Sequence, residues 1–244
     1  MEIQNKIALV TGAGRRLGQA IALALGKAGA NVAVHYHTSR EGAEDTAQQL
    51  RAMGRKAALV QANQEEPAEI QAAVDSTTQS LGPVDILVNS AAIFHRMPFP
   101  EVDLEWWDRH LDTNLRGPWL FMSAVAEGMK KRGAGKIVNI IDAQIWSPRA
   151  AYLPYSAAKS GLITLTKGLA RTLAPGIQVN GVSPGIILPP PDWDKEEIQA
   201  ALAKIPMRRM GTPEDVAATV VFLVTGPDFI TGAIIPVDGG QSLG

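Results

Sequence analysis

Short runs of aliphatic and β-branched residues alternate along this chain with longer segments in which apolar residues recur at helical spacing. The continuous runs predict strands covered on both faces, and the periodic segments predict amphipathic helices. We predict strands over residues 7–10, 31–36, 57–61, 84–88, 136–141, 178–182 and 233–237. We predict helices from the end of a glycine-rich loop to about 27, then over 41–53, 67–81, 104–132, 155–174, 196–204 and 213–224.

The alternation of strands and helices predicts a parallel sheet with helices on both faces. Because crossovers between parallel strands are right-handed, the expected fold is α/β, a doubly wound Rossmann-like sheet of about seven strands. The connections are short, and we find no linker or low-complexity run. We therefore expect a single domain over residues 1–244, with a substrate-covering loop and helix at about 186–212.

Polar and glycine-rich segments directly follow several predicted strands. They are loop 11–18, Asn89, Asp142 and residues 183–185. Ligands of doubly wound sheets bind outside the carboxyl ends of the strands. The pattern therefore places a ligand site at this rim of the sheet.

Composition narrows the class of protein. The chain has 23 basic and 24 acidic residues and a net charge of −1, so nothing suggests a nucleic-acid or membrane partner. The absence of cysteine excludes disulfides, thiolate zinc sites and cysteine nucleophiles, and we identify no metal site. The N-terminus lacks a signal-peptide pattern and no apolar window is long enough for a membrane span, so we expect a cytoplasmic protein.

Loop 11–18, with the sequence TGAGRRLG, connects the first predicted strand to a helix. Glycines in such a turn let backbone N–H groups approach a pyrophosphate at the helix N-terminus. The loop therefore indicates a dinucleotide site.

Tyr155 and Lys159 are four residues apart on a later predicted helix, so their side chains share one face. The ammonium is expected to lower the pKa of the phenol. Such a tyrosine could transfer a proton near neutral pH.

With Asn89-Ser90-Ala91-Ala92 and Pro184-Gly185, these motifs resemble the short-chain dehydrogenase/reductase family over essentially the whole chain. The resemblance implies hydride transfer from a nicotinamide cofactor, with Asn114, Tyr155 and Lys159 as catalytic residues, Asn114 holding water near Lys159. The family's usual loop is T-G-x-x-x-G-x-G, and this chain departs from it with Arg16 at the middle glycine. The implied cofactor contacts are Gly12, Arg15, Arg16, Leu17, Gly18, Asn63, Asn89, Ala91, Tyr155, Lys159, Pro184, Gly185 and Ile187.

The end of the second predicted strand contains no carboxylate before Glu41. NAD enzymes usually place an acid there for the ribose 2′-OH, whereas NADP enzymes supply hydrogen-bond donors or positive charge. We therefore expect NADPH/NADP⁺ as the cofactor. The expected contacts in this segment are His35, Tyr36, His37, Thr38 and Ser39, with Arg15 and Arg40 available to a 2′-phosphate.

Asp142 lies thirteen residues before Tyr155, where the family usually has a serine that donates to the substrate oxygen. An ionised carboxylate at about 4 Å would repel a developing oxyanion by on the order of 4 kcal/mol at an effective dielectric constant near 20. That repulsion corresponds to roughly three powers of ten in rate. Either Asp142 is protonated, or the substrate has a C=N bond and N–H donors that suit a carboxylate. The alternative is a loop carboxylate that caps a backbone N–H.

Arg16, His35-Tyr36-His37, Phe94 and Asp142 together resemble pteridine reductases within the family. The resemblance implies a pterin substrate stacked on Phe94, with Tyr155 and Asp142 supplying the proton. Arg16, Phe94, Asp142, Tyr155 and Trp193 are the expected substrate-binding residues, and the segment Pro189-Pro190-Pro191-Asp192-Trp193 is expected to stiffen the covering loop. Ala92 departs from the subfamily, which has serine there.

Two other functions stay open. One is an NADPH-dependent carbonyl reductase of the 3-oxoacyl or sugar/polyol type, and the other is a non-catalytic dinucleotide-binding regulator. Tyr155, Lys159 and Asn114 argue against the regulator. Trp193, Trp146 and Met207 are candidates for an apolar pocket. The segment Val237-Asp238-Gly239-Gly240 resembles the family's C-terminal region, which implies a homotetramer.

Overall fold

A computed structural model describes residues 1–189 and 193–243. Within this part of the chain, the strands are β1 (Ile7–Val10), β2 (Asn31–Tyr36), β3 (Ala57–Gln61), β4 (Ile86–Asn89), β5 (Gly135–Ile140), β6 (Ile177–Pro184) and β7 (Ile234–Val237). The helices are α1 (Arg16–Ala28), α2 (Arg40–Ala52), α3 (Pro67–Ser80), α4 (Leu104–Leu111), α5 (Gly117–Arg132), α6 (Leu153–Leu173), α7 (Lys195–Lys204) and α8 (Pro213–Thr225). No helix of the described residues is long and apolar enough to cross a membrane.

All neighbouring strands are parallel, and the sheet order is β3-β2-β1-β4-β5-β6-β7. The order reverses between β1 and β4, which creates a crevice at the carboxyl ends of these two strands. The predicted fold class is therefore confirmed.

Helices cover both faces of the sheet. Ile21 of α1, Leu50 of α2 and Val220 of α8 belong to one buried cluster. Val74 of α3 and Phe121 of α5 belong to the cluster on the opposite face. Two apolar layers thus hold the strand ends in place.

The segment predicted as one helix over 104–132 is interrupted. Helix α4 ends at Leu111, residues Asp112–Arg116 form a π-helical turn, and α5 begins at Gly117. Pro118 has no backbone N–H to continue the α-helical ladder, which accounts for the local change of register. The π turn carries Asn114.

Most other boundaries lie within one or two residues of the predictions. Strand β6 is longer than predicted and runs to Pro184, because its polar end continues the ladder with β7. Pro190, Pro191 and Asp192 of the predicted covering loop lie outside the described residues, so its stiffness stays a prediction.

Candidate active site

A cavity of about 980 Å³ opens at the carboxyl ends of the strands. Most residues predicted for the site from sequence line it. These are Gly12, Arg15, Arg16, Leu17, Gly18, His35, His37, Thr38, Ser39, Asn63, Ala91, Phe94, Asp142, Tyr155, Lys159, Pro184, Gly185, Ile187 and Trp193.

The glycine-rich loop can take its conformation only with glycine at two positions. Gly12 has a φ of 65°, and a Cβ there would lie 2.9 Å from the Cα of Ala91. A Cβ on Gly18 would overlap the carbonyl of Gly12. The close packing turns the loop tightly into the N-terminus of α1, where backbone N–H groups can meet a phosphate.

Arg16 occupies left-handed backbone space with a φ of 51°. That conformation costs a side-chain-bearing residue roughly 1–2 kcal/mol. Its guanidinium donates a 2.9 Å hydrogen bond to the carbonyl of Leu188. Arg16 therefore connects the glycine-rich loop to the segment after β6 that lines the same cavity.

His35 is buried inside β2 and holds the glycine-rich loop from behind. Its Nδ1 accepts a 3.2 Å hydrogen bond from the backbone N–H of Gly12. Its carbonyl accepts a 2.8 Å bond from the N–H of Ala13. Burial lowers the pKa of His35 to about 4, so the ring is neutral and Nδ1 is free to accept.

His37, Thr38 and Ser39, which follow β2, line the cavity, as does Arg15 of the glycine-rich loop, and a 2′-phosphate is expected beside them. Two other residues predicted as cofactor contacts near the end of β2, Tyr36 and Arg40, do not line the cavity. Tyr36 is buried in the core, because strand alternation turns it away from the rim. The Arg40 guanidinium forms a 2.9 Å ion pair with Glu44 on the exposed face of α2.

Asp142 and Tyr155 are directly hydrogen-bonded. The Tyr155 hydroxyl donates to Asp142 Oδ2 at 2.8 Å, and the Gln144 N–H donates to Asp142 Oδ1 at 2.7 Å. The carboxylate thus caps a backbone N–H and also contacts the tyrosine. Burial raises the pKa of Asp142, while Gln144, Tyr155 and the positive charge of Lys159 oppose the rise.

The predicted effect of Lys159 on Tyr155 is wrong. Burial and the charge of Asp142 raise the pKa of Tyr155 well above its ordinary value. The Lys159 ammonium lies 5.8 Å from the centre of the tyrosine ring and donates instead to the carbonyl of Ile140 at 2.7 Å. Burial lowers the pKa of Lys159 itself to about 8, against the opposing charge of Asp142. Desolvation and the neighbouring carboxylate outweigh the ammonium.

Phe94 belongs to an aromatic wall of the cavity. Its ring stacks on Tyr152 with centroids 4.3 Å apart and planes 7° apart. It meets Tyr155 edge-on at 4.8 Å. Tyr152 also lines the cavity and was missed in the sequence, where a tyrosine in a loop gives no distinguishing signal.

Two predicted asparagines lie behind the cavity lining. Asn89 donates from Nδ2 to Asn139 Oδ1 at 2.8 Å, inside the sheet. The Asn114 side chain is bonded at both ends to the backbone of Ile93, at 3.0 Å each. These contacts make both residues supports of the site, and a water held by Asn114 stays a prediction.

Of the predicted apolar pocket residues, Trp193 lines the cavity, and the Arg149 guanidinium carbon lies 5.2 Å from the centre of its ring. Trp146 and Met207 are 55% and 61% exposed and are not among the lining residues. Their hydrophobicity in the sequence did not reveal which apolar side chains face the site.

We predict that the protein loses stability as the pH falls from about 6.5 to 4. Burial lowers the pKa of His110, like that of His35, to about 4. The unfolded chain therefore binds protons in this range that the folded chain does not, so the stabilisation is complete above the range and lost below it. Each histidine contributes at most on the order of 3 kcal/mol.

Urea unfolding at pH 7 and pH 4.5 checks this prediction. Wild type should lose more unfolding free energy on acidification than His110→Leu, which lacks one of the two groups. Equal losses in the two proteins would contradict the prediction for His110.

Comparisons with known proteins extend over nearly the whole chain. Residues 12–242 match a family model described as enoyl-(acyl carrier protein) reductase. The chain is 36% identical to glucose 1-dehydrogenase 2 of Bacillus subtilis, over 99% of its length and 96% of the relative. It is 38% identical to 3-oxoacyl-(acyl-carrier-protein) reductase of Synechocystis sp., over 97% of its length and 96% of the relative.

A solved structure agrees in fold. It is that of a blue fluorescent protein from a metagenomic library in complex with NADPH. The TM-score is 0.91 at 37% identity, over 99% of this chain and all of that one.

Proposed function

Because the chain belongs to the short-chain dehydrogenase/reductase family, we propose that it is an NADPH-dependent reductase of a carbonyl substrate. The proposal rests most directly on one observation. The hydroxyl of Tyr155 and the carboxyl of Asp142 lie 2.8 Å apart in the cavity that the glycine-rich loop also lines. A proton donor and a dinucleotide loop at one cavity are what carbonyl reduction requires.

The residues of the cavity fit NADPH, which the chain uses as cofactor. The glycine-rich loop brings the N-terminus of α1 to the cavity without side-chain obstruction at Gly12 and Gly18. Arg15 of the glycine-rich loop and His37, which follows β2, are exposed and line the cavity, and no carboxylate lies between β2 and Glu41. The solved relative in complex with NADPH supports the same cofactor.

When bound, NADPH would supply the hydride for the carbonyl carbon. Tyr155 supplies the proton for the oxygen. Burial, the largest cause of its raised pKa, acts whether Asp142 is charged or neutral and keeps the hydroxyl protonated at neutral pH. The proton therefore leaves only when a stronger base, the developing alkoxide, is present. Lys159, with a pKa of about 8, is mostly cationic at neutral pH and favours the negative charge left in the site.

The protonation state of Asp142 determines whether a carbonyl substrate can react. The ionised carboxylate would repel the oxyanion, whereas the neutral acid can donate a hydrogen bond to it, as a serine hydroxyl would. Burial raises the Asp142 pKa and so enlarges the neutral fraction at a given pH. We propose that neutral Asp142 takes the place of the usual serine.

A pterin-like C=N substrate is the second candidate, and the comparisons favour the carbonyl substrate over it. Glucose 1-dehydrogenase and 3-oxoacyl-(acyl-carrier-protein) reductase are the named activities of the relatives. The observation that favours a pterin is the combination of Asp142, which can accept from ring N–H groups, with the flat wall formed by Phe94 and Tyr152.

The proposed function is tested by following NADPH oxidation with acetoacetyl thioester and with a sugar lactone or ketose. The expected product of the thioester is the 3-hydroxy compound, formed one for one with NADP⁺. If no carbonyl compound accelerated NADPH oxidation, the proposal would fail.

We predict that NADPH is used at least about tenfold more efficiently than NADH, because positive charge and hydrogen-bond donors replace the carboxylate after β2. Arg15→Ala should raise the KM for NADPH and leave that for NADH unchanged. Arg51→Ala, on the far part of α2, is the control. Equal efficiency of the two cofactors in the wild type would overturn the assignment of the phosphate site.

The homotetramer also stays a proposal. Phe229 and Leu243 near the C-terminus are almost fully exposed apolar side chains, which is consistent with burial in an assembly. Light scattering should give four times the chain mass, and a monomer mass would contradict the proposal.

A further inference from the structure

His110 is a buried histidine next to the candidate active site. It lies in the last turn of α4, is 0% exposed and is neutral, because burial lowers its pKa to about 4. Its ring faces that of Tyr155 edge-on at 6.3 Å. Neither the dinucleotide loop nor the proton-donating pair explains why this position is a histidine.

The hydrogen bonds around Asn114 fix the roles of the His110 nitrogens. Asn114 Oδ1 accepts from the N–H of Ile93, and Asn114 Nδ2 donates to the Ile93 carbonyl. The amide therefore cannot be flipped. Because Nδ2 also lies 3.1 Å from His110 Nδ1, Nδ1 must be the acceptor and the ring proton must be on Nε2.

The same bonds connect His110 to the substrate side of the cavity. Asn114 binds both backbone groups of Ile93, and Ile93 directly precedes Phe94. Phe94 in turn contacts Tyr152 and Tyr155. A change in the Asn114 amide would therefore move the ring against which a substrate packs.

Packing alone does not explain the histidine. His110 Nε2 is buried and has no hydrogen-bond partner among the described residues. An unpaired buried N–H is unfavourable, and a leucine would fill a similar volume without it. The Nδ1 acceptor is the feature that a leucine lacks.

We propose that His110 is a positioning residue, whose neutral Nδ1 holds the Asn114 amide so that Asn114 fixes Ile93 and the Phe94 wall. The proposal deepens the proposed function. Its kinetic test depends on that function, whereas its structural test does not. His110 acts through Asn114 and does not itself contact the reacting atoms.

Kinetics of three variants test the proposal. His110→Leu should raise the substrate KM about tenfold, with a smaller change in kcat and an unchanged Kd for NADPH, because the wall is displaced and the dinucleotide loop is not. His110→Asn should restore most of the loss, since its Oδ1 can occupy the position of Nδ1. Thr77→Val removes a buried polar group on α3, far from the site, and should leave the KM unchanged.

Nuclear magnetic resonance provides a readout that does not depend on the substrate. In wild type, the side-chain ¹⁵N spectrum should show Nδ1 unprotonated and Nε2 protonated, and the Asn114 side-chain amide should exchange slowly. The exchange should become faster in His110→Leu and slow again in His110→Asn.

The proposal would be overturned if His110 Nδ1 were protonated in the wild type at neutral pH. It would also be overturned if the Asn114 side-chain amide exchanged at the same rate in His110→Leu as in the wild type. A His110→Asn variant no better than His110→Leu would contradict it as well. If wild type reduced no substrate, the proposed function would fail, and the exchange measurement would still decide the role of His110.

Discussion

Tyr155→Phe is expected to lower kcat/KM for carbonyl reduction by about 10²- to 10⁴-fold, the usual contribution of a positioned proton donor. The hydroxyl is the group that donates to Asp142 at 2.8 Å and faces the cavity. Phenylalanine keeps the ring and its edge-on contact with Phe94 but has no proton to give. The Kd for NADPH, measured by fluorescence titration, should change little.

Tyr152→Phe is the matched control. It removes a hydroxyl from a neighbouring cavity residue and retains the ring that stacks on Phe94. Its kcat/KM should stay within about threefold of wild type, since no proton passes through it. A Tyr155→Phe variant as active as Tyr152→Phe would show that the proton comes from elsewhere.

Asp142→Ser is expected to change the pH dependence of carbonyl reduction. In wild type, activity should fall as the pH rises through the raised pKa of Asp142, because the ionised carboxylate repels the oxyanion. Serine has no charge, so the variant should retain its activity at high pH. The ratio of variant to wild type should approach roughly three powers of ten at full ionisation. Reduction of a pterin by the same variant should fall well below wild type.

Asp142→Asn separates the charge of Asp142 from its capping role. Asparagine can still accept from the Gln144 N–H that bonds Asp142 Oδ1, and it carries no charge. Its carbonyl reduction should also lack the decline at high pH. If the Asp142→Asn variant behaved like wild type while the serine variant did not, the effect would come from the lost cap.

The fold could be predicted from sequence because its signals are local. Strands β2 and β3 have the predicted bounds, since a short apolar run can be recognised without knowledge of its neighbours in the fold. The π turn at Asp112–Arg116 was missed, because the apolar pattern of 104–132 is continuous. What breaks the helix involves the missing N–H of Pro118 and contacts of Asn114 with Ile93, twenty-one residues away.

The sequence predicted which residues form the site, but not how their surroundings shift their pKa values. The family resemblance implied that Asp142 and Tyr155 lie together, and the structure brings them to 2.8 Å. The direction of the Tyr155 pKa was wrong, because burial and the Asp142 charge depend on the folded surroundings. His110 was missed because the sequence does not distinguish a helical histidine that supports a site from one that only packs in the core.

Neither the sequence nor the shape of the cavity decides the substrate class, because the same features suit a pterin and a carbonyl substrate. Asp142 and Phe94 led to a pterin as the first choice, whereas the relatives favour the carbonyl alternative. The volume of the cavity, about 980 Å³, and its flat wall do not by themselves choose between the two substrates. The protonation of Asp142 during the reaction is what distinguishes them.

The most direct test compares kcat/KM for NADPH-dependent reduction of acetoacetyl thioester and of dihydrobiopterin by the same wild-type preparation at neutral pH, with Tyr155→Phe beside it. We expect the thioester to be reduced with the higher kcat/KM, and this activity to be lost in the variant. Turnover of dihydrobiopterin alone, or thioester reduction that survives Tyr155→Phe, would contradict the proposed carbonyl reductase.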